Sequence, residues 1–172
     1  MQNADSIRVK TDRFIQYIIQ HCEKDKGFAA LIKRADNPNT EYYSWEILAR
    51  FTDLTNDYQR LPYAYIAAAI ADGKIQHNGT QNIGRILAKC YDSPNGEGNQ
   101  EEQAKLRLRR LLACQNSVEA CAVLRGLLSL IRARNLAEQL DYAELLKNLI
   151  GFNDRVKERW AMAFYRSEVG DE

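Results

Sequence analysis

The stretch AKLRLRRLLACQ, residues 104–115, combines a helical leucine pattern with a dense cluster of positive charge. At 100° per residue, Leu108, Leu111 and Leu112 fall on one narrow stripe, which predicts an amphipathic helix that buries this stripe. The six residues 105–110 of this stretch include four cations and no acid: Lys105, Arg107, Arg109 and Arg110. The stretch therefore predicts a helix with an apolar face and a cationic face.

Two of the four cations point away from the buried stripe. The projection places Arg109 and Arg110 on the outward side, with Leu106 between them. The other two cations flank the stripe, and Glu101 can pair with Lys105 at the i, i+4 spacing. A solvent-exposed helix face without a binding role usually carries charges of both signs. An outward Arg-Leu-Arg patch without acids beside it therefore predicts a binding surface.

Charge is segregated along a chain whose total is nearly neutral. The 172 residues carry a formal net charge of +1, yet residues 104–134 hold seven cations and one acid, and the remainder holds 17 cations and 22 acids. The next predicted helix adds Arg125 and Arg132, which lie seven residues apart on one face. Such segregation is typical of an electrostatic binding surface. Phosphate-backbone binding and a solvated or protein-facing surface are equally open at this point, and the planar guanidinium binds phosphate and carboxylate alike.

Helical periodicity runs through the rest of the chain, and no segment shows the alternation that is typical of strands. The sequence predicts an all-α protein with about eight helices in two packed lobes. The polar stretch DSPNGEGNQ contains two glycines, a proline and no apolar side chain. We therefore expect a linker at residues 92–100, between an N-terminal lobe at 1–91 and a C-terminal lobe at 101–172.

Local signals place several helix ends and core residues. Pro62 is predicted in the first turn of its helix, Asn99 and Glu102 as a capping box, and Ser117 as an N-cap. The spacing of the clustered aromatic residues is more typical of a core than of a base-stacking platform, and Trp160 and Phe164 should dock the last helix. The aromatic residues concerned are Tyr42, Tyr43, Trp45, Phe51, Tyr63, Tyr65, Trp160, Phe164 and Tyr165.

Composition and motifs argue against several classes of protein. The chain has no apolar run near the ~20 residues of a membrane span and no secretory signal pattern, so we expect a cytoplasmic protein. Nucleotide-loop, hydrolase-elbow and metal-ligand spacings are absent from the sequence, which predicts a protein that is not an enzyme and has no cofactor or metal. Four cysteines are predicted to be buried thiols: Cys22, Cys90, Cys114 and Cys121.

Several stretches together resemble the CasB family, the small subunit of the type I-E CRISPR Cascade surveillance complex. In chain order they are GFAALIKRA, NIGRILA, RLRRLL, VLRGLLSLIR and the close YAELLKNLIGF…VKERWAMAFY. Each motif is degenerate by itself. Their order and spacing across about residues 25–166 carry the resemblance.

The resemblance implies a non-catalytic helical subunit of an antiviral complex. Two copies would contact each other, the backbone and large subunits, the CRISPR RNA, and the target and non-target DNA. Arginines and lysines would hold phosphates and stabilise the R-loop. Exchanging a DNA duplex for an RNA–DNA duplex is nearly balanced in free energy, so contacts to the backbone can tip it.

The resemblance also indicates which cations would contact nucleic acid. Lys33 and Arg34 stand at the family's paired arginines, and Arg85 follows the glycine of the Gly-Arg signature. The prediction for Arg109 and Arg110 is based on the helical projection instead. The predicted nucleic-acid-binding residues are Lys33, Arg34, Arg85, Lys105, Arg107, Arg109, Arg110, Arg125 and Arg132.

Two other interpretations stay open at this point. The chain could be a helical adaptor whose arginines meet acidic partner surfaces, without touching nucleic acid. It could also be an independent RNA- or DNA-binding regulator, which should show base preference. Arg85 could equally be a structural arginine that bridges the two lobes.

Overall fold

The computed structural model describes residues 2–91 and 100–168, and this part of the chain is all-helical, as predicted. Two 3₁₀ turns lie at Glu41–Ser44 and Ala137–Gln139, and Gln81 and Leu140 form an isolated bridge. The α-helices of the described residues are α1 (Gln2–Lys24), α2 (Lys26–Ile32), α3 (Trp45–Leu48), α4 (Asp57–Gly73), α5 (Ile83–Lys89), α6 (Gln100–Leu112), α7 (Ser117–Ala133), α8 (Tyr142–Ile150) and α9 (Asp154–Glu168).

Helices from both sides of residues 92–99 share one hydrophobic core. α5 packs along α9, α4 packs on α7 and α8, and α1 packs on α8. Trp160 and Phe164 are fully buried, which confirms that they dock the last helix. The predicted linker at 92–100 falls almost wholly on residues that the structure does not describe, so the lobe boundary stays a prediction. The predicted capping residue Asn99 also lies outside the described residues.

A glycine sets the close approach of α5 to α9. A Cβ atom added at Gly84 would lie 2.0 Å from the carbonyl oxygen of Trp160. Real Cβ atoms do not come this close to backbone, so any side chain at Gly84 would push the two helices apart. The glycine of the Gly-Arg signature therefore has a packing role.

The start of α4 differs from the prediction for Pro62. The helix begins at Asp57, and Asn56 caps it by accepting a hydrogen bond from the backbone N–H of Tyr58 at 3.1 Å. Pro62 therefore lies inside the helix and not in its first turn. A proline there has no N–H for the carbonyl four residues earlier, which belongs to Tyr58.

A distant serine supplies the missing donor. The hydroxyl of Ser117 donates to the carbonyl oxygen of Tyr58 at 3.1 Å. Ser117 is consequently not the N-cap of α7, as the sequence predicted; Asn116 caps that helix by accepting from the N–H of Glu119 at 3.0 Å. The proline and the serine thus join α4 to the start of α7.

The turn after α4 is hydrogen-bonded to the start of α8. The backbone N–H of Gly79 donates to the carbonyl of Leu140 at 3.0 Å. The Asn78 side chain donates to Asp141 at 2.8 Å and accepts from the N–H of Tyr142 at 2.8 Å. Side-chain amide and backbone together fix this connection to the N-terminus of α8.

The aromatic residues do not all lie in the core, contrary to the prediction. Phe51, Tyr63, Tyr65, Trp160 and Phe164 lie in the core or pack against it. The exposed ones are Tyr42, Tyr43, Trp45 and Tyr165. Three of these belong to the 3₁₀ turn and the four-residue α3, a segment too short to present one continuous buried face.

Candidate nucleic-acid interface

Three of the predicted cations line one cavity. Lys33 comes from the C-cap of α2, and Arg125 and Arg132 come from α7; together they border a space of about 260 Å³. The seven-residue spacing does place both arginines on one face of α7, with Ser129 between them on the cavity wall. Two segments that are about 90 residues apart in sequence are thus brought to one concave surface.

Each cation of the cavity faces a carboxylate. Arg125 Nε lies 3.0 Å from Asp36 Oδ2. Asp72 forms an ion pair with Arg132 through one oxygen, and its other oxygen lies 3.9 Å from Lys33 Nζ. The α7 arginines are therefore not isolated from acids, because α4 and the turn after α2 supply acids that the local sequence does not contain. Three positive charges against two negative ones leave the cavity cationic.

These ion pairs are weak enough to exchange. The side chains of Arg125, Arg132 and Lys33 are 53%, 44% and 40% exposed, so water and salt screen their attraction to the aspartates. Tyr65 also lines the cavity, and burial raises its pKa. An arriving oxyanion can therefore compete with the two carboxylates for planar guanidinium donors.

A second cavity adjoins the first at Lys33. It has a volume of about 440 Å³, and Lys26 and Lys74 line it with Lys33. Sequence reasoning missed both of these lysines. Lys74 caps the end of α4 with a left-handed backbone, φ 51°, and no linear motif marks it as a neighbour of Lys33. Glu23 also lines this cavity, so its three lysines face one acid.

Arg34, the next residue after Lys33, lines neither cavity and contacts an aromatic side chain instead. Its guanidinium lies over the ring of Tyr43, 5.6 Å from the ring centre, and Tyr43 stacks on Tyr42 at 4.3 Å between centres. The hydroxyl of Thr40 donates to the carbonyl oxygen of Arg34 at 3.1 Å and holds the following turn beside α2.

The projection of α6 agrees with the structure. Leu108 and Leu111 are buried, and Leu106 is exposed between the exposed Arg109 and Arg110. The ion pair between Lys105 and Glu101 is also present, as predicted.

The remaining predicted cations lie apart from the cavity. Arg107 hydrogen-bonds to Tyr91, where burial raises the pKa of the phenol and the charge of Arg107 opposes that rise. Arg85 is exposed on α5, next to the close contact of Gly84 with α9. Neither these two arginines nor the predicted α6 cations line the cavity of Lys33.

Both the sequence and the fold of this chain are similar to those of known proteins. The chain matches the family of CRISPR-associated protein Cse2, also called CasB, over residues 28–165. Its fold is similar to that of a solved chain described as "CRISPR RNA-guided surveillance complex", with a TM-score of 0.73, 18% sequence identity and 94% of each chain covered. No curated protein sequence matches the chain significantly. Within the described residues, no helix is both long and apolar enough to cross a membrane. The family match covers most of the chain, from α2 into α9, and the chain therefore belongs to the Cse2 family of CRISPR-associated proteins.

Proposed function

We propose that the chain is the small subunit of a type I-E CRISPR RNA-guided surveillance complex and stabilises the opened target without catalysing a reaction. Family membership supports the assignment to such a complex. The observation that carries the nucleic-acid role is the convergence of Lys33, Arg125 and Arg132 on one cavity.

The mechanism is electrostatic. Phosphates of a separated strand displace Asp36 and Asp72 from the arginines and take their place as acceptors. These contacts need charge and position but no base edge, so binding is blind to sequence and steep in salt. Because R-loop formation is nearly balanced, a few such contacts oppose reannealing.

The other predicted cations extend these contacts along the CRISPR RNA and the target and non-target DNA. They are Arg34, Arg85, Lys105, Arg107, Arg109 and Arg110. In this proposal two copies of the subunit lie against the backbone and large subunits in the cytoplasm, with no membrane contact and no cofactor.

Salt-dependent binding tests the role of the cavity. Anisotropy of labelled single-stranded and duplex DNA is measured across a salt series for the chain and for Arg125→Gln/Arg132→Gln. Each lost phosphate contact should flatten the slope of log K against log salt by ~0.7 to 0.9. The matched control, Arg8→Gln/Arg155→Gln, removes the same charge from exposed arginines that do not line the cavity.

An equal loss in both double variants would show that net charge, and not the cavity, determines binding. Absence of salt-dependent binding by both the isolated chain and the assembled complex would refute the nucleic-acid role. A strong preference among base sequences would favour the independent regulator instead.

One observation favours a protein contact on α6. Leu106 is 57% exposed between Arg109 and Arg110. A leucine at the centre of this patch offers neither charge nor a hydrogen bond to a phosphate backbone. As a second candidate role for Arg109 and Arg110, in place of the nucleic-acid contact, we infer that this patch meets an acidic and apolar surface of a partner subunit. Leu106→Ser should weaken co-assembly with the partner subunits and leave the salt-dependent DNA affinity of the chain unchanged.

A further inference from the structure

Three aromatic side chains lie exposed on one short segment. Tyr42, Tyr43 and Trp45 are 52%, 46% and 38% exposed, although the sequence pattern predicted them to be buried. Single exposed aromatic residues are common on protein surfaces, whereas a cluster of them marks a binding surface.

The two tyrosines form a preorganised stack. Successive side chains of a 3₁₀ helix point about 120° apart, so neighbours normally diverge. Here the rings of Tyr42 and Tyr43 lie 4.3 Å apart with 29° between their planes, and a hydrogen bond between their side chains raises the pKa of Tyr42. The turn that carries them is fixed, because the Ser44 hydroxyl donates to the carbonyl of Glu41 at 2.6 Å.

Arg34 connects the stack to the segment that lines the cavity of Lys33, Arg125 and Arg132. Arg34, whose guanidinium lies over Tyr43, follows Lys33 directly in the chain, and Lys33 and Asp36 both line the cavity. The positive charge of Arg34 also acts on Tyr42, so it lies near both rings. Arg34 thus contacts the stack and lies in the chain between two residues of the cavity wall.

Proteins that hold single strands pair a cationic groove for the backbone with aromatic side chains on which bases stack. We propose that Tyr42, Tyr43 and Arg34 form a platform that stacks an unpaired nucleobase of the strand whose phosphates occupy the cavity of Lys33, Arg125 and Arg132. This proposal rests on the proposed function. A base within a duplex is already stacked on both faces, so the platform selects a separated strand.

Comparison of a single strand with an abasic strand of the same length tests the platform. The two strands carry equal phosphate charge, so a difference in affinity reports the bases. The chain should bind the base-bearing strand roughly tenfold more tightly, as expected for one stacked base. Tyr42→Leu/Tyr43→Leu should reduce its affinity to the level of the abasic strand, with the salt slope unchanged.

Two further variants control the test. Tyr42→Phe/Tyr43→Phe keeps both ring faces and should retain the preference for bases. Tyr165→Leu removes an exposed tyrosine from α9 and should leave the affinity as it is. Circular dichroism confirms that each variant folds, and the same series with RNA shows whether the platform accepts bases of both nucleic acids.

The possible outcomes separate this inference from the proposed function. Equal, salt-steep binding of both strands by the unmodified chain would overturn the platform and leave the phosphate contacts standing. Loss of salt-dependent binding to both strands would overturn both proposals. A leucine variant that keeps its base preference but fails to co-assemble would overturn the platform and make the tyrosines a protein contact.

Discussion

Asp72 is the residue that holds two cations of the cavity at once. It pairs with Arg132 and lies 3.9 Å from Lys33, so an incoming phosphate must compete with it for both. Removing one charge at about 4 Å in a hydrated site changes the interaction by ~1 kcal/mol. We predict that Asp72→Asn raises the affinity for single-stranded DNA roughly fivefold at low salt, measured by anisotropy.

The matched control is Asp12→Asn, which removes a carboxylate 4.0 Å from Arg8 on α1. An equal gain in that variant would trace the effect to overall charge. Both pairs are exposed, so neither substitution should change the stability of the fold by more than ~1 kcal/mol.

The buried cysteines make stability fall at alkaline pH. Cys90, Cys114 and Cys121 are buried as predicted, and Cys22 is half-buried. Burial raises the pKa of Cys90 to about 11 and that of Cys121 to about 12, above the ordinary value of about 9. The folded chain therefore keeps these protons after the unfolded chain has begun to lose them. Their contribution is complete below pH ~9 and is lost as the pH rises through ~11 to ~12.

Urea midpoints between pH 7.5 and pH 10.5 check this prediction. Cys90→Ala/Cys121→Ala should show a shallower alkaline decline than the unmodified chain, even though the substitutions lower stability at every pH. Lysines and tyrosines titrate in both proteins, so the difference between the two curves isolates the thiols. Parallel curves would contradict the assignment.

At the scale of the elements, the contact between α5 and α9 depends on Gly84. Because a Cβ there meets the backbone of Trp160, no rotation of a side chain can relieve the clash. We predict that Gly84→Ala lowers the free energy of unfolding by roughly 3 kcal/mol, the upper end for overpacking. The control is Gly126→Ala on α7, where nothing lies within 4 Å of an added Cβ, so it should stabilise by up to about 1 kcal/mol.

The junction of α4 and α7 rests on one hydrogen bond. Ser117→Ala leaves the carbonyl of Tyr58 without its donor and should cost about 1 to 2 kcal/mol in urea unfolding. Pro62→Ala would restore a helical N–H to the same carbonyl. In that background the cost of Ser117→Ala should shrink, and a double-mutant cycle measures the difference. Strict additivity would show that the serine does not serve the proline.

The sequence predicts these elements better than it predicts their contacts. Apolar spacing is a local property, so the helices and the buried face of α6 follow from it directly. The prediction for Pro62 was wrong because the rule for proline considers only the local backbone. The hydroxyl that compensates for the missing N–H belongs to Ser117, 59 residues from Tyr58. The exposure of Tyr42 and Tyr43 escaped prediction because their segment forms a 3₁₀ turn and not a helical face.

At the scale of the whole molecule, folding redistributes the charge that the sequence segregates. Asp36 and Asp72 reach the arginines of α7, whereas Arg109 and Arg110 stay exposed on α6. The excess of charge in residues 104–134 thus divides between a cavity that is nearly balanced and a helix face that is not. This division arises only in the tertiary structure. The sequence therefore identifies the candidate cations but does not predict which of them face acids from distant segments.

A shared core predicts one cooperative unfolding transition. Helices before and after residues 92–99 pack together, and the Asn78 side chain bonds to both Asp141 and Tyr142. We expect one calorimetric peak whose measured and van't Hoff enthalpies agree. Asn78→Ala removes two part-buried hydrogen bonds worth about 2 kcal/mol together, which lowers Tm by roughly 5 °C for a chain of this size. The peak should shift without splitting, because the core still joins the helices. Two separate peaks in the unmodified chain would mean that the predicted lobes unfold independently and that the core between them contributes little.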